Sequence, residues 1–576
     1  MNATGNLPLS KELLGGVLER AGRPDFETFE ARLRSSGYCA RPVRLQGRIE
    51  ICDGHGRRRV WSTDSEPDGV LRKACRNRRE AVCPQCAERY RQDAYHLIAA
   101  GLRGGKGVPD TAADHPAIFA TLTAPSFGPV HTRVLDRHGQ PRRCHPRRDA
   151  PVCQHGTPLS CTLVHDEHDA CLGEPLCPEC FDYEQAVMWN HALGELWRRT
   201  TIYLPRALAR LCGMTQAALN REVRPAYVKV AEYQRRGLVH LHVVARLDRA
   251  MPKYRAGEVQ PPAPRFDAEL LEDAFREAVA DVTAPVADEL GGGRITWGKA
   301  LDTRRLATGA ERGEIAGYLA KYATKSTEQA GGLLHRIDRE DIERAPVSEH
   351  VRGYMRAAFD LHAVAEQNRP ATPPPAPAPM PDIESDWHPA ALAIRARKAM
   401  SDDEHVRVRE HAGTAHIGRI TRIIDGPERD GVTLSVELDS GVLVHLAHVA
   451  SIGPAAKRAR PRDRRGPRLA ACAHAFGYRG HCLTKSRRYS TTFKALREAR
   501  EAYVHEQILA RSSDATQRAI GEASEEQRIA TFECVGVGHL TAADAYLARS
   551  AAARAREGRA AARLARAMEF ETGGQA

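Results

Sequence analysis

The segment from Ala226 to Asp248, AYVKVAEYQRRGLVHLHVVARLD, restricts the possible folds of this chain more than any other stretch. Apolar residues alternate along it on both sides of a glycine-containing turn, which is the pattern of two antiparallel strands in a hairpin. Since successive side chains of a strand point to opposite faces, one face of the second strand is purely apolar and is expected to be buried. That face consists of Val239, Leu241, Val243 and Ala245.

The opposite face of the hairpin carries groups that bind divalent metals. His240 and His242 are two residues apart and therefore lie side by side on it. Arg235-Arg236-Gly237 fits a three-residue turn with glycine in the left-handed conformation, and this register places Glu232 directly opposite His240. Two imidazoles and a carboxylate form a suitable open site for Mg²⁺ or Mn²⁺. The alternative interpretation is a buried or surface histidine pair without a metal.

Residues 311–328 are predicted to form a helix that carries two tyrosines on one face. Tyr318 and Tyr322 are four residues apart and stack along it, and Lys321 and Lys325 each follow a tyrosine by three residues. A phenol is mostly protonated at neutral pH, but beside a metal-bound phosphate and a cation it can attack phosphorus. The lysines would neutralise charge that develops on the phosphate. An ordinary amphipathic helix with tyrosines on its core side is the alternative.

Cysteines are concentrated in the first third of the chain, where 11 of the 15 lie between Cys39 and Cys180. The first 20 residues lack the features of a secretory signal, and no run of 18 or more apolar residues exists. Such cysteines are more often metal ligands than disulfide partners. Two Cys-Pro-x-Cys knuckles, Cys83–Cys86 and Cys177–Cys180, each present two thiolates to a tetrahedral Zn²⁺.

Each knuckle needs further ligands if it is to form a structural zinc site. For the first knuckle we predict Cys75, together with Cys52. For the second, Cys153 and Cys161 are preferred from a set that also contains His155 and His165. The spacing leaves the pairing open, and the two knuckles could share one ion.

The charge balance favours a polyanionic partner. Lys plus Arg is 85 and Asp plus Glu is 73, which gives a formal net charge of +12, although charge alone does not identify the partner. The segment Thr484–Ser490 is basic and contains Tyr489, a combination that suits DNA contact. Arginines near the first knuckle are candidates for phosphate contact, with a solvated basic surface as the alternative: Arg76, Arg78, Arg79, Arg89 and Arg91.

Composition divides the chain into five regions. A dense proline run, PATPPPAPAPMPD, marks a semi-rigid linker, and short alternating runs after it suggest a small β-barrel. The predicted regions are 1–110 (N-terminal helix and Cys-rich zinc module), 111–365 (domain of the metal-site hairpin and the tyrosine helix, with a zinc-knuckle insertion at 140–182), 366–400 (linker), 401–456 (β-barrel-like insert) and 457–576 (basic segment and helical C-terminal region).

Several motifs together resemble those of a known superfamily. HLH at His240–His242 resembles the HUH motif of single-strand DNA nickases, and IFATLTAP at Ile118–Pro125 resembles the strand motif that precedes it. YLAKYATK at Tyr318–Lys325 resembles the Tyr-x-x-Lys motif in its doubled form. More closely, most of residues 75–365 and 470–497 resembles replication initiators of rolling-circle plasmids and integrative elements from actinobacteria.

The resemblance implies a fold, a reaction and partners. The fold is α+β, with an HUH-type (ferredoxin-like or RRM-like) antiparallel sheet and flanking helices. The reaction is metal-dependent nicking at a double-strand origin, in which Tyr322 attacks first and Tyr318 serves at termination, or the reverse. The DNA origin, a host helicase and a DNA polymerase are the partners, in the bacterial cytoplasm. A transposase or relaxase of the same superfamily and a non-catalytic zinc-dependent DNA-binding regulator are the alternatives.

Overall fold

The computed structural model describes residues 10–52, 58–149, 151–251, 258–307, 309–369, 405–412, 414–428, 431–446, 449–454, 468–511 and 528–573, with a few single residues between 392 and 401. The chain forms two compact units. One consists of Met1–His362 together with Leu469–Ala576, and the other of Ala363–Arg468. The predicted 366–400 linker lies largely outside the described residues, and so do residues 457–467 of the predicted basic segment.

The helices and strands of the first unit follow one another in mixed order. Up to and including the hairpin they are α1 (Lys11–Ala21), α2 (Phe26–Ser35), β1 (Val43–Cys52), β2 (Arg58–Ser62), β3 (Leu71–Lys73), α3 (Pro84–Arg103), β4 (Ala117–Leu122), β5 (Val134–Leu135), β6 (Pro141–Arg142), α4 (Tyr183–Leu211), α5 (Gln216–Glu222), β7 (Val223–Tyr233) and β8 (Val239–Arg249). After it come α6 (Ala268–Asp281), β9 (Thr283–Pro285), β10 (Arg294–Thr296), β11 (Leu301–Arg305), α7 (Ala310–Tyr322) and α8 (Glu349–Gln367).

The second unit contributes β12 (His405–Glu410), β13 (Ala415–Glu428), β14 (Gly431–Leu438), β15 (Leu443–His445) and β16 (Val449–Pro454). The chain then returns to the first unit with β17 (Leu483–Lys485), α9 (Phe493–Arg511), β18 (Arg528–Val537) and α10 (Ala542–Gly573). The fold is therefore mixed α and β with antiparallel sheets, as the sequence predicted at the level of class. In the described residues, no helix has both the length and the apolar character needed to cross a membrane.

A five-stranded antiparallel sheet forms the centre of the first unit, in the order β11-β4-β8-β7-β17. Helices α4 and α6 pack together over one face, and α3 and α7 pack together over the other. Val239, Leu241 and Val243 are fully buried against α4 and α6. The prediction that this side of the hairpin is a buried apolar face is confirmed, and it fixes the histidine side toward α7.

Hydrogen bonds from two helices hold the hairpin turn in place. Gly237 has φ +79°, and Gln234 and Leu238 close the three-residue loop with a 2.9 Å backbone hydrogen bond. The buried amide of Asn190 on α4 donates to the Gly237 carbonyl at 2.8 Å, and the Tyr354 hydroxyl donates to the carbonyl of Arg236 at 2.8 Å. Contacts from two helices therefore hold the turn that sets the strand register.

Substituting Gly237 by alanine is expected to lower the free energy of unfolding by about 3 kcal/mol. An L-residue at this positive φ is strained by about 1–2 kcal/mol, and a Cβ would lie 2.5 Å from the Tyr354 ring, which adds an overpacking cost of about 1–3 kcal/mol. Denaturant unfolding followed by tryptophan fluorescence measures the loss, because Trp189 and Trp297 lie in the same core.

The control for that substitution is Gly213→Ala. Gly213 also has a positive φ, +62°, but a Cβ there would meet nothing within 4 Å, so only the backbone strain of about 1 kcal/mol is expected. Equal losses for the two variants would show that the contact with Tyr354 does not hold the turn.

The C-terminal region completes sheets that begin far upstream. β17 pairs with β7, the strand that carries Glu232, and β18 pairs with β1 in a second sheet that also contains β2 and β3. The sequence predicted a basic segment and helices here, and its helical pattern does not reveal strands whose partners lie hundreds of residues away. Tyr489 is fully buried and donates to the carbonyl of Ile98 at 3.2 Å, so this side chain is a core residue and not the DNA contact for which the segment was considered.

The second unit has its own small core. Its sheet has the order β15-β14-β13-β12-β16, with all neighbours antiparallel. Apolar side chains from every strand bury one another, among them Val406, Val408, Ile420, Val436, Leu438, Val444 and Val449. Within the described residues β12 pairs with the last strand, and the closed barrel predicted for 401–456 stays a prediction.

Candidate active site

The hairpin brings Glu232 and the two histidines together in the predicted register. Glu232 on β7 lies opposite His240 on β8, and this part of the prediction is confirmed. The closest contact, however, is diagonal: Oε2 of Glu232 lies 2.6 Å from Nε2 of His242. The His242 side chain is buried and Glu232 is partly exposed, so the pair lies where the core meets solvent.

The orientation of the His242 ring is fixed on its other side by β4. Thr121 Oγ1 lies 3.1 Å from His242 Nδ1, and the ring of Phe119 stacks on the imidazole with centroids 6.0 Å apart. If Nδ1–H donates to Thr121, Nε2 keeps the lone pair that a metal requires. Thr121 and Phe119 belong to the IFATLTAP motif. The sequence identifies this motif but does not predict its contact with His242.

Both tyrosines of α7 lie against the same imidazole. The ring centroid of His242 is 5.4 Å from that of Tyr318 and 5.3 Å from that of Tyr322, and the two phenol rings are 4.9 Å apart. Tyr318 is 41% exposed, so part of its side chain is in contact with solvent. The helix face predicted from the i, i+4 spacing thus faces the histidine side of the sheet, and is not merely a core face.

Helix α7 is shorter than predicted. It ends at Tyr322, and the chain continues through a turn to a short 3₁₀ helix at Thr327–Ala330. Side-chain hydroxyls in this stretch bond to the backbone and so compete with the backbone hydrogen bonds of the helix. Thr324, for example, donates to the carbonyl of Lys321 at 3.1 Å. Lys325 therefore lies beyond the helix, with Nζ 5.0 Å from the centroid of the Tyr322 ring, whereas Lys321 is exposed on the helix.

Burial controls the ionisation of the tyrosines. It raises the pKa of the Tyr322 hydroxyl well above its usual range, with further contributions from Tyr318 and the Glu232 carboxylate. Burial likewise raises the pKa of Tyr318 and lowers that of Lys325. Both phenols are therefore protonated at neutral pH, and their reactivity depends on positive charge brought close to them.

His240 has a buried ring nitrogen without a hydrogen-bond partner among the described residues, which favours a bound ligand. Burial, with Arg236 and His242, lowers its pKa to about 3, so the imidazole is neutral at physiological pH. Its Nε2 atom is buried and makes no hydrogen bond within the described part of the chain. A buried nitrogen without a partner is costly, and the donor types of His240, Glu232 and His242 suit a shared divalent cation. Their ligand atoms are not gathered within 4.8 Å of one another, as those of the cysteine clusters are, so His240 would have to move closer to the other two to complete the site.

The first cysteine knuckle lies in a four-sulfur cluster. Cys39 Sγ is 3.7 Å from Cys83 and 3.6 Å from Cys86, and Cys75 is 3.7 Å from Cys86. Tetrahedral zinc with Zn–S bonds of about 2.3 Å has S–S edges of about 3.8 Å, so this cluster could hold a metal such as zinc. Cys75 joins the knuckle as predicted, but the fourth sulfur belongs to Cys39.

Cys52, which we predicted as that fourth ligand, ends β1, and its side chain lies outside the described residues. Cys39 was missed because it is separated from the knuckle by the whole of β1, β2 and β3. Only the pairing of these strands brings the two ends together, and no local spacing rule encodes it.

The second knuckle also lies in a cluster that could hold a metal, but not with all of its predicted partners. Cys153 Sγ is 3.5 Å from Cys177, and His155 Nδ1 is 3.3 Å from Cys180 Sγ. Cys161, which was preferred as a ligand here, belongs instead to a separate cluster in the described residues. That cluster consists of His131, Cys144, Cys161 and His165.

Arginines near the first knuckle support α7. Arg78 donates to the carbonyls of Ala323 and Lys325 at 3.3 and 3.1 Å, and Arg79 donates to the carbonyl of Leu334 at 2.6 Å. Both side chains were considered above for phosphate contact, but Arg78 binds the backbone just after the tyrosines and Arg79 binds the backbone farther along the chain. The Cys39 cluster is thereby connected to the end of the tyrosine helix.

Comparison with known proteins gives a consistent result. The family model RepSA, described as "Replication initiator protein, pSAM2", matches residues 25–409 and 414–553. A replication initiator protein from Streptomyces ambofaciens is 37% identical over 375 residues, which are 63% of this chain and 76% of that protein. No solved structure matches the chain. The residues matched by the family model include the hairpin, the tyrosine helix and both knuckles.

Proposed function

Because the chain belongs to the RepSA family of replication initiators, which act on DNA at the origin of a plasmid, we propose that it starts replication by nicking. In this proposal it cuts one strand at the double-strand origin through a tyrosine nucleophile. The cut leaves a 5′-phosphotyrosine and a 3′-OH that primes rolling-circle synthesis, and the enzyme rejoins the DNA at termination. The catalytic unit is then an HUH-type fold.

The observation that supports this proposal most is that two tyrosines pack on His242, a histidine whose side chain is oriented to bind a metal. Tyr318 and Tyr322 both contact His242, whose Nε2 lies 2.6 Å from Glu232. A helix whose tyrosines served only the core would bury them in apolar surroundings. Here they flank a carboxylate and an imidazole on the face of the neighbouring strands β7 and β8, and the partly exposed Tyr318 marks the side from which a phosphodiester would approach.

Glu232, His240 and His242 are the residues that would hold Mg²⁺ or Mn²⁺. When bound, the ion supplies a Lewis acid that polarises the scissile phosphate and makes nearby negative charge less costly. The protein's part is to hold the ligands in place, through the clamped turn and the contact of Thr121 with His242.

The chemical step exchanges one phosphoester for another. The Tyr322 oxygen bonds to phosphorus as the bond from phosphorus to the 3′ oxygen breaks; the phenol loses a proton and the 3′ oxygen gains one. Lys325, whose ammonium lies near the Tyr322 ring, and the exposed Lys321 are placed to stabilise charge on the phosphate and phenolate. Tyr318, the more exposed phenol, would act on the second phosphodiester at termination.

The partners follow from this reaction. No segment of the sequence matches the Walker A motif of ATP-binding proteins, so a separate host helicase would unwind the nicked DNA. A host polymerase would extend the 3′-OH. Both steps would take place in the bacterial cytoplasm. The cysteine clusters would hold structural Zn²⁺, because sites with four protein ligands leave no open position for substrate.

A covalent-adduct assay tests the proposed function. Purified full-length protein with Mn²⁺ is mixed with labelled single-stranded oligonucleotides that tile the plasmid's own origin, and denaturing gels detect protein–DNA adducts. We expect an adduct that requires the metal and disappears when Tyr318 and Tyr322 are both replaced by phenylalanine. Tyr503→Phe, a change at an exposed position on α9, is the matched control and should leave the adduct unchanged.

The absence of any adduct across the origin, from folded and zinc-loaded protein, would contradict nicking. It would favour the alternative of an initiator that binds and marks the origin through its zinc modules without cutting DNA. Retention of the adduct in the double phenylalanine variant would instead mean that the nucleophile lies elsewhere.

A further inference from the structure

The insertion between β4 and α4 contains a Cys/His cluster that is separate from both knuckles. Its four ligand atoms all lie within 4.8 Å of one another, in His131, Cys144, Cys161 and His165. His165 Nε2 is 3.2 Å from His131 Nδ1 and 3.5 Å from Cys161 Sγ. Zinc bonds of about 2.0–2.3 Å in a tetrahedron give ligand–ligand edges of about 3.3–3.8 Å. The cluster therefore has the dimensions of a Cys₂His₂ zinc site.

His165 is oriented for such a role by its second ring nitrogen. Nδ1 lies 2.9 Å from Asp169 Oδ2, and donation of its proton there leaves the lone pair of Nε2 facing the cluster, as in carboxylate–histidine–zinc arrangements. Cys171 is also 3.5 Å from Nδ1, so His165, Asp169 and Cys171 form a competing group. That group has three donors, two of them only partly buried, whereas Cys144 and Cys161 are buried.

Little else holds this part of the insertion together. Between residues 131 and 176 the described strands are the two-residue β5 and β6. The local buried cluster consists of the two cysteine ligands and Leu176, while Leu163 and Val164 are exposed. A segment without an apolar core usually depends on a metal or on disulfides, and Cys144 and Cys161 are free thiols.

The segment that follows the last ligand of this cluster supports the tip of the hairpin. Arg235, in the turn, donates to the carbonyl of Glu167 at 2.9 Å and to that of Asp169 at 3.0 Å. Gly173 approaches so closely that a Cβ there would lie 2.5 Å from the carbonyl carbon of Arg235. The Gly173 N–H also donates to the carbonyl of His131 at 2.9 Å. The backbone just after the last ligand thus touches the turn, and the first ligand, His131, holds that backbone through Gly173.

We propose that His131, Cys144, Cys161 and His165 bind a zinc ion of their own, in addition to the ions of the two knuckle clusters, and that this ion fixes the loop on which the hairpin tip rests. The site is structural, since four protein ligands complete it. The proposal concerns zinc occupancy and backbone order, and it holds or fails independently of nicking.

Zinc counting on the full-length protein tests the proposal. Wild-type protein, measured by native mass spectrometry and elemental analysis, is expected to contain three zinc ions per chain, and Cys144→Ser two. Cys171→Ser is the matched control: its thiol contacts the opposite nitrogen of His165, and the variant should keep three. Hydrogen exchange of the Gln234 amide, which bonds to Leu238, should be about tenfold faster in Cys144→Ser and unchanged in Cys171→Ser.

Two zinc ions in the wild type, or three in Cys144→Ser, would overturn the proposed third zinc site. Loss of an ion in Cys171→Ser alone would instead assign the metal to the competing group of His165, Asp169 and Cys171. An unchanged exchange rate at Gln234 in a two-zinc Cys144→Ser protein would overturn the role at the hairpin. If Cys144→Ser does not accumulate, His131→Asn, at a partly exposed ligand, replaces it and must also give two.

Discussion

Tyr322→Phe is expected to abolish the first strand cleavage, with a loss in the single-turnover rate on the order of 10⁴-fold or more. The variant lacks the attacking oxygen but keeps the ring, which packs on His242 with centroids 5.3 Å apart and lies 5.0 Å from Lys325 Nζ. The fold should therefore survive. Cleavage of a labelled origin oligonucleotide in Mn²⁺, followed by quenched-flow sampling, measures the effect.

Tyr318→Phe separates the two phenols. Both rings contact His242 at similar distances, so their positions do not show which tyrosine attacks first. We assign the first attack to Tyr322 because Lys325 lies beside its ring. We expect Tyr318→Phe to cleave at close to the wild-type rate but to fail in transfer to a second oligonucleotide. Loss of first cleavage in Tyr318→Phe with retention in Tyr322→Phe would reverse the two roles.

The local parts of the site could be predicted because they obey short-range rules. The period of two along β8 identified the buried face, and the glycine at a left-handed turn position fixed the pairing of Glu232 with His240. These inferences need only the chain between residues 226 and 248. The i, i+4 spacing of the tyrosines similarly predicted a shared helix face, although not the end of the helix at Tyr322.

The remaining features depend on contacts that no local pattern encodes. β17 adds to the edge of β7 after an intervening unit of about a hundred residues, and three residues of strand carry almost no periodic signal. Tyr489 reads as part of a basic surface segment, yet it fills the space beside Gly101, where a Cβ would lie 2.2 Å from its ring. The partition of cysteines and histidines among three clusters likewise follows from tertiary structure.

Cys39→Ser is expected to remove one zinc ion and to loosen the N-terminal module. Structural zinc contributes about 10–16 kcal/mol of binding free energy in zinc-finger peptides, so losing one of four thiolates, and with it about a quarter of that free energy, should lower metal affinity by about 10²–10³-fold. Cys39 also accepts the N–H of Cys75 at 3.2 Å, which orders the loop that carries Arg78. Elemental analysis and limited proteolysis between residues 39 and 90 measure the change.

The matched control is Cys52→Ser, because Cys52 is the ligand that sequence spacing favoured. The Cys39 cluster already supplies four sulfurs with edges of 3.6–3.7 Å, so Cys52→Ser should keep its zinc. Loss of zinc in Cys52→Ser but not in Cys39→Ser would show that the cluster is assembled differently. Since Arg78 binds the carbonyls of Ala323 and Lys325, Cys39→Ser should also slow nicking while Tyr318 and Tyr322 remain intact, which would connect the first zinc module to the position of the nucleophile.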